Sequence, residues 1–294
     1  MGDQVIRALN RSGGIRVLAC SIARLAREIC DLQQTGPTVS VALGRALAGG
    51  TLMGALLKPG QRVGLKFEGN GPMGKLIAEA DSDGAVRGCV GNPAAEAEPV
   101  NGAWNVPGII GRAGFLTVSK DLGIGGEPYR GMVQLTTSQI GDDLAYYLTD
   151  SEQVPSAVGL GASLDGNGQI SGCAGFLVQA LPKADPAEID GILERIGTLD
   201  PLTELVRRGG VHTVLEALFG ETPHVILETR EPFFRCGCNR EKVERAMVSL
   251  GGHELRDMRE KEHGAEVTCE FCRQAYRFDS DELDQLAQHV GQGH

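Results

Sequence analysis

Positive charge is scarce in this sequence. Lys and Arg total 28 against 38 Asp and Glu, a formal net charge of −10. A protein built to grip nucleic acid usually carries a basic domain or face, so this balance argues against that class. Long apolar runs are missing too. The most apolar stretch, residues 46–57, is about half of the ~20 residues needed to cross a bilayer, so no membrane partner is expected. No basic segment followed by an apolar one stands in residues 1–10, which argues against a secretory signal. Ile6 occupies the place where an acylated N-terminal glycine motif needs Ser or Thr. The expectation is a soluble, cytoplasmic protein.

What is present bounds the architecture. Apolar residues make up 41% of the chain, enough for a packed core, so global disorder is excluded. Glycine is in excess at 42 of 294 residues, but without a G-X-Y period it signals turns, not collagen. A chain of 294 residues suits one large domain with one or two small ones.

Three parts are distinguishable. Residues 1–182 hold most of the glycine, with strand-like alternation at 62–68 and 75–79 and turn signals at Pro59-Gly60, 69–72 and Asp83-Gly84. Helices are expected at 22–32 and 38–58. The second has almost no polar face, and such a helix is normally buried on every side. The expectation is therefore an α+β fold whose core has two β layers around a buried helix, with Gly49 and Gly50 permitting a sheet to approach closely. Residues 183–231 read as a helical linker. Asp185-Pro186-Ala187-Glu188 predicts an N-cap, a proline at N1 and a glutamate reaching back, and further short helices follow Asp200-Pro201 and span 211–219. At around ten residues each, these helices need a neighbour to be stable. Residues 232–294 carry nine Lys/Arg and twelve Asp/Glu, hence no basic face, and few large apolar groups. Helices are expected at 241–250 and 280–290, with short strands at 267–269 and 276–278. A part this small wants a staple.

Cysteine supplies the candidate. Cys236-Gly237-Cys238 is followed, thirty residues on, by Cys269-Glu270-Phe271-Cys272. In a reducing compartment, two such pairs deliver four thiolates to one tetrahedral Zn²⁺ ion, a small C-terminal Cys₄ zinc-binding domain. Gly237 would permit a sharp turn, and Arg235, Arg240, Lys242 and Arg273 would favour the thiolates. Spacing alone favours a structural zinc knuckle yet leaves a sensor open, because a disulfide across C-x-C closes a small, strained, easily reduced ring.

The residues 234–245, Leu250-Gly251-Gly252, Cys269-Glu270-Phe271-Cys272 and Tyr276-Arg277-Phe278 resemble the 33 kDa heat-shock protein family of redox-regulated chaperones. Arg87-Gly88 before Asn92-Pro93, Tyr147 with Ser151-Glu152-Gln153, and residues 175–182 agree in family order, so the resemblance covers nearly the whole chain. Asn239 stands where the family commonly has Ser, and Cys89 where an aromatic is usual. The resemblance implies a non-enzymatic, ATP-independent holdase that protects unfolding proteins under oxidative stress. In the reduced form, one Zn²⁺ per chain would sit on Cys236, Cys238, Cys269 and Cys272. Oxidation to disulfides Cys236–Cys238 and Cys269–Cys272 would release it, unfold the switch domain and linker, and expose client-binding surface. The oxidised form would dimerise, and clients would pass to ATP-dependent chaperones. The alternative is a protein-interaction module whose zinc is purely structural. A thiol-disulfide enzyme would need a C-x-x-C opening a helix, whereas 269–272 reads as strand and turn.

Other signals have plainer explanations. Residues 69–75 imitate a phosphate-binding loop, but Leu76 stands where Ser or Thr would hold Mg²⁺, so a glycine-rich hairpin is expected. Cys20, Cys30, Cys89 and Cys173 read as buried structural thiols, His253 and His263 as solvated, and Ser151-Glu152 as a helix end. No catalytic residue is assigned.

Overall fold

A computed structural model describes residues 2–290. Two compact units divide the chain between Arg235 and Cys236. The first runs β1 (Gln4–Asn10), β2 (Ile15–Ser21), α1 (Ala23–Gln33), α2 (Pro37–Gly54), β3 (Arg62–Gly69), β4 (Lys75–Asp81), β5 (Ala85–Val90), α3 (Val106–Ile110), β6 (Gly114–Asp121), β7 (Tyr129–Gln134), α4 (Ile140–Asp150), β8 (Ser156–Leu164) and β9 (Ile170–Ala180). It continues with α5 (Pro186–Gly197), α6 (Leu202–Gly209), α7 (Val211–Phe219), β10 (His224–Arg230) and β11 (Phe233–Phe234). One sheet has the order β10-β1-β2-β9-β8 and the other β11-β5-β4-β3-β6-β7.

The helix without a polar face lies where its composition requires. Only Pro37 and Arg45 of α2 escape full burial, and the helix packs against β8 and β9 of the first sheet and β3, β4 and β5 of the second. Small residues set the spacing. A Cβ at Gly50 would lie 3.5 Å from the Ala78 Cβ on β4, and one at Gly54 only 2.8 Å from the Ala80 Cβ. The helix ends at Gly54, short of residue 58, because its last amides fall into tight turns, Leu56 onto Met53 and Leu57 onto Gly54, ahead of Pro59.

Helices α5, α6 and α7 lean on a neighbour, as their length demands. Ile192, Leu205, Val214, Leu215 and Phe219 pack over Ile6, Ile15, Val17, Phe176 and Val178 of the first sheet. Asp185 caps α5 by accepting from the Ala187 amide at 2.9 Å. Glu188 does not close the expected capping box. Its carboxylate accepts from Asn10 Nδ2 and Ser12 Oγ, both at 2.9 Å, and so ties the helix to the β1–β2 turn. The stretch 183–231 also ends in a strand, β10, that pairs antiparallel with β1. The phosphate-loop lookalike is a hairpin turn, with Glu68 opposite Lys75, and Gly71 sits so close to Ile109 O that a Cβ would be 2.4 Å away.

The second unit holds α8 (Arg240–Val248), α9 (Gly252–Glu262), β12 (Gly264–Thr268), β13 (Ala275–Asp279) and α10 (Ser280–Val290). Its buried apolar core is small, Met247, Leu255, Phe278, Leu283 and Ala287 among the described residues. Helix α9 went unread in the sequence because it is charged nearly throughout and buries only Leu255.

The contact distances along α2 set a sign test. Gly50→Ala places a methyl at ordinary contact distance and gains helix propensity, so it should raise stability by roughly 0.5–1 kcal/mol. Gly54→Ala collides with Ala80 and should lower it. Urea unfolding of the two variants against the parent distinguishes the cases.

Candidate metal centre

The four candidate ligands occupy two turns of the second unit. Cys236 and Cys238 precede α8, whose N-cap Asn239 accepts a hydrogen bond from the Lys242 amide at 2.9 Å. Asn does here what Ser would also do, since both are strong N-caps. Cys269 and Cys272 lie in the turn between β12 and β13, where the Arg273 amide donates to Cys269 O at 3.0 Å and the Cys269 amide donates to Gln274 O at 2.9 Å. Arg273 has φ 59, the left-handed value that closes this turn, whereas Gly237 is not among the positive-φ residues. Gly237 thus needs no left-handed backbone, and it still lets the sulfurs of Cys236 and Cys238 face the same cluster.

All four sulfurs lie within 4.8 Å of one another. Cys236 Sγ is 3.6 Å from Cys269 Sγ, and Cys238 Sγ is 3.3 Å from Cys272 Sγ. A tetrahedron with metal–sulfur bonds of about 2.3 Å has edges near ~3.8 Å, so the donor set fits one ion. Four thiols this close also resist ionising together. Burial, then the neighbouring thiols, push the Cys272 thiol up to about 12, and a bound cation is what reverses that preference. The donor chemistry, four half-buried sulfurs with no carboxylate or imidazole in the cluster, suits a soft or borderline ion.

Three of the four basic residues expected to favour the thiolates have partners of their own. Arg235 pairs with Asp81 and Asp83, each at 2.7 Å. Arg240 pairs with Glu244 at 3.1 Å and with Glu282 at 2.5 Å, and its guanidinium lies 4.4 Å from the centre of the Phe278 ring. Lys242 Nζ donates to Gly237 O. One supporting contact was not legible as such: Tyr276 OH donates to Cys238 Sγ at 3.1 Å. Its signal was the strand alternation, because Tyr276 stands opposite Val267 on β12, just after the second cysteine turn.

The remaining cysteines are separate. Cys20, Cys30, Cys89 and Cys173 are buried and form no disulfide. Cys20, Cys30 and Cys173 donate to backbone carbonyls of α2, at Ala48 (3.8 Å), Ser40 (3.8 Å) and Gly44 (3.2 Å) respectively. These acceptors stand one turn apart. Burial pushes Cys20 up to about 12 and Cys30 up to about 11, which keeps both as unreactive thiols. Ser151 closes α4, its amide donating to Tyr147 O at 2.9 Å, and Glu152 pairs with Lys120. His253 is exposed, and His263 ends α9 in a left-handed conformation. The C-x-x-C opens no helix.

These features define a class first: a mixed α+β protein with a separate small unit whose four cysteines could hold a metal ion. The chain belongs to the Hsp33 protein family, which matches residues 3–279. It is 66% identical over 288 residues to a 33 kDa chaperonin of Pelobacter propionicus, covering 98% of this chain and 95% of that one. It is 50% identical to the 33 kDa chaperonin of Geobacter sulfurreducens, covering 97% and 94%. The crystal structure of the 33 kDa chaperonin of Thermotoga maritima superposes with a TM-score of 0.90 at 33% identity, over 98% of this chain and 99% of that one. The family supports a chaperone function and with it the binding of client proteins, and the relatives' name denotes a non-enzymatic class. No helix among the described residues is long and apolar enough to cross a membrane.

Two substitutions test the centre. Cys269→Ser should abolish tight metal binding and leave the second unit loosened, read as metal content per chain and amide dispersion in NMR spectra. Tyr276→Phe removes the donor to Cys238 and should weaken metal affinity by roughly ten-fold or more, read by competition with a chelating dye.

Proposed function

We propose that the protein is a redox-regulated, ATP-independent holdase that protects unfolding proteins from aggregation under oxidative stress in the cytoplasm. The observation that carries this reading is the gathering of Cys236, Cys238, Cys269 and Cys272 in a unit with a very small apolar core. Bound Zn²⁺, one per chain in the reduced state, would hold the four sulfurs as thiolates and so join the two cysteine turns.

Oxidation takes two electrons from each pair of thiols. Two thiolates become one S–S bond, and a peroxide co-reactant takes up two protons from solvent and leaves as two waters. The fate of the unit depends on which sulfurs pair. Disulfides Cys236–Cys238 and Cys269–Cys272, the family pattern, each close within one turn and link neither turn to the other. The staple is then lost, and the five buried apolar residues among those described are too few to hold the unit alone. Cross-pairing of the nearest sulfurs would instead keep the turns joined. With the second unit unfolded, helices α5–α7 loosen in turn, and apolar surface on linker and core holds clients. In this reading residues 1–182 form the chaperone core, 183–231 the linker and 232–294 the switch. The oxidised form dimerises, and reduction passes clients to ATP-dependent chaperones.

A second reading, a structural-zinc interaction module, draws on the pairing of Arg235 and Arg240 with carboxylates, which leaves less positive charge to promote thiolate oxidation. Light scattering from a heat-unfolding client separates the two, with released zinc followed by a chelating dye. Suppression only after peroxide treatment, tracking zinc release and reversed by dithiothreitol, is the expected result. Zinc retained with equal behaviour of both forms selects the module. Peptide mapping of the oxidised protein should find the two within-turn disulfides.

A further inference from the structure

The last residues of the first unit form a strap. Strand β11 adds to the edge of the second sheet in parallel, Phe233 opposite Ala85 and Phe234 opposite Val86. The Phe233 amide donates to Gly84 O at 3.0 Å and the Arg235 amide to Val86 O at 3.3 Å. Phe234 packs against the main core, while Phe233 stays 42% exposed. Ion pairs latch both ends. Glu231 meets Arg24 at 2.8 Å, and the two guanidinium arms of Arg235 meet Asp81 and Asp83. The next residue is Cys236.

A strand of two residues has little cooperativity of its own, and exposed ion pairs contribute no more than about 1 kcal/mol each. The strap is thus weakly held, and the chain leaves it directly into the first cysteine pair. We propose that residues 231–235 cover a client site in the resting protein, and that their release opens the β5 edge to an extended apolar–apolar–basic segment of an unfolded polypeptide. This inference rests on the chaperone reading and names a surface for it. The occupant is specified by what the strap itself presents. Backbone amides would reach Gly84 O and Val86 O, an aromatic or aliphatic side chain would take the place of Phe234, and a Lys or Arg after it would meet Asp81 and Asp83.

The full-length protein, reduced and zinc-loaded or peroxide-treated, is titrated with fluorescein-labelled peptides Ala-Phe-Phe-Arg-Ala and Ala-Phe-Phe-Glu-Ala. Client light scattering is recorded on the same samples. Expected are binding of the Arg peptide to the oxidised form only, weaker binding of the Glu peptide, and loss of hydrogen-exchange protection at the Phe233 and Arg235 amides on oxidation. Asp83→Asn should weaken the Arg peptide roughly two- to five-fold and lower the peroxide concentration at half-maximal protection. If oxidised protein suppresses aggregation yet ignores charge at the peptide's basic position, or keeps those amides protected, the strap proposal falls and the chaperone reading stands. If oxidised protein does not suppress aggregation, the chaperone reading falls and takes the strap with it.

Discussion

A helix with no polar face must be covered on all sides, and much of the first unit is arranged to satisfy that constraint for α2. Two sheets supply the cover, and glycine on the helix against alanine on β4 lets one of them approach closely. Three thiols complete the enclosure by donating to carbonyls along the same helix. These thiols are chemically quiet for the reason that makes them structural: burial disfavours the thiolate. The chain thus carries two populations of cysteine, separated by environment and not by residue type.

The second unit meets the opposite condition. Its apolar core is small, its helices are charged, and its four cysteines converge from two turns separated by thirty residues of chain. Cross-linking such turns contributes most where the core contributes least. Sensitivity in the proposed switch therefore comes from weakness: a unit that needs its sulfurs loses its structure when they are diverted. Loss would reach the first unit through the chain itself, since Arg235, the residue before the first cysteine, ends a short strap held by exposed ion pairs.

The helical segment between these regions has a related design. Helices α5, α6 and α7 bury their apolar faces on the outer side of the first sheet and are too short to persist without it. The contact of Glu188 with Asn10 and Ser12 fastens the segment at its start, and β10 fastens it at its end. Such a segment is ordered by its neighbours and not by its own propensity, which suits a region proposed to change state.

Much of this was legible in the chain. The lack of a polar face on α2 specified burial on every side, and the strand-like alternation around it made β layers the cover. The C-x-C and C-x-x-C spacing specified a four-sulfur centre, because metal chemistry fixes which donors at which separations can share an ion. Local rules also identified Asp185 as a cap and residues 69–75 as a hairpin. What only the tertiary structure decided were partners distant in sequence. Glu188 turned to Asn10, Arg235 to Asp81 and Asp83, Tyr276 to Cys238, and β10 to β1. Helix α9 escaped reading because one buried leucine leaves no periodic signal. Periodicity and spacing report a residue's relation to its own element. Pairing between elements depends on the path of the folded chain, which one sequence does not display.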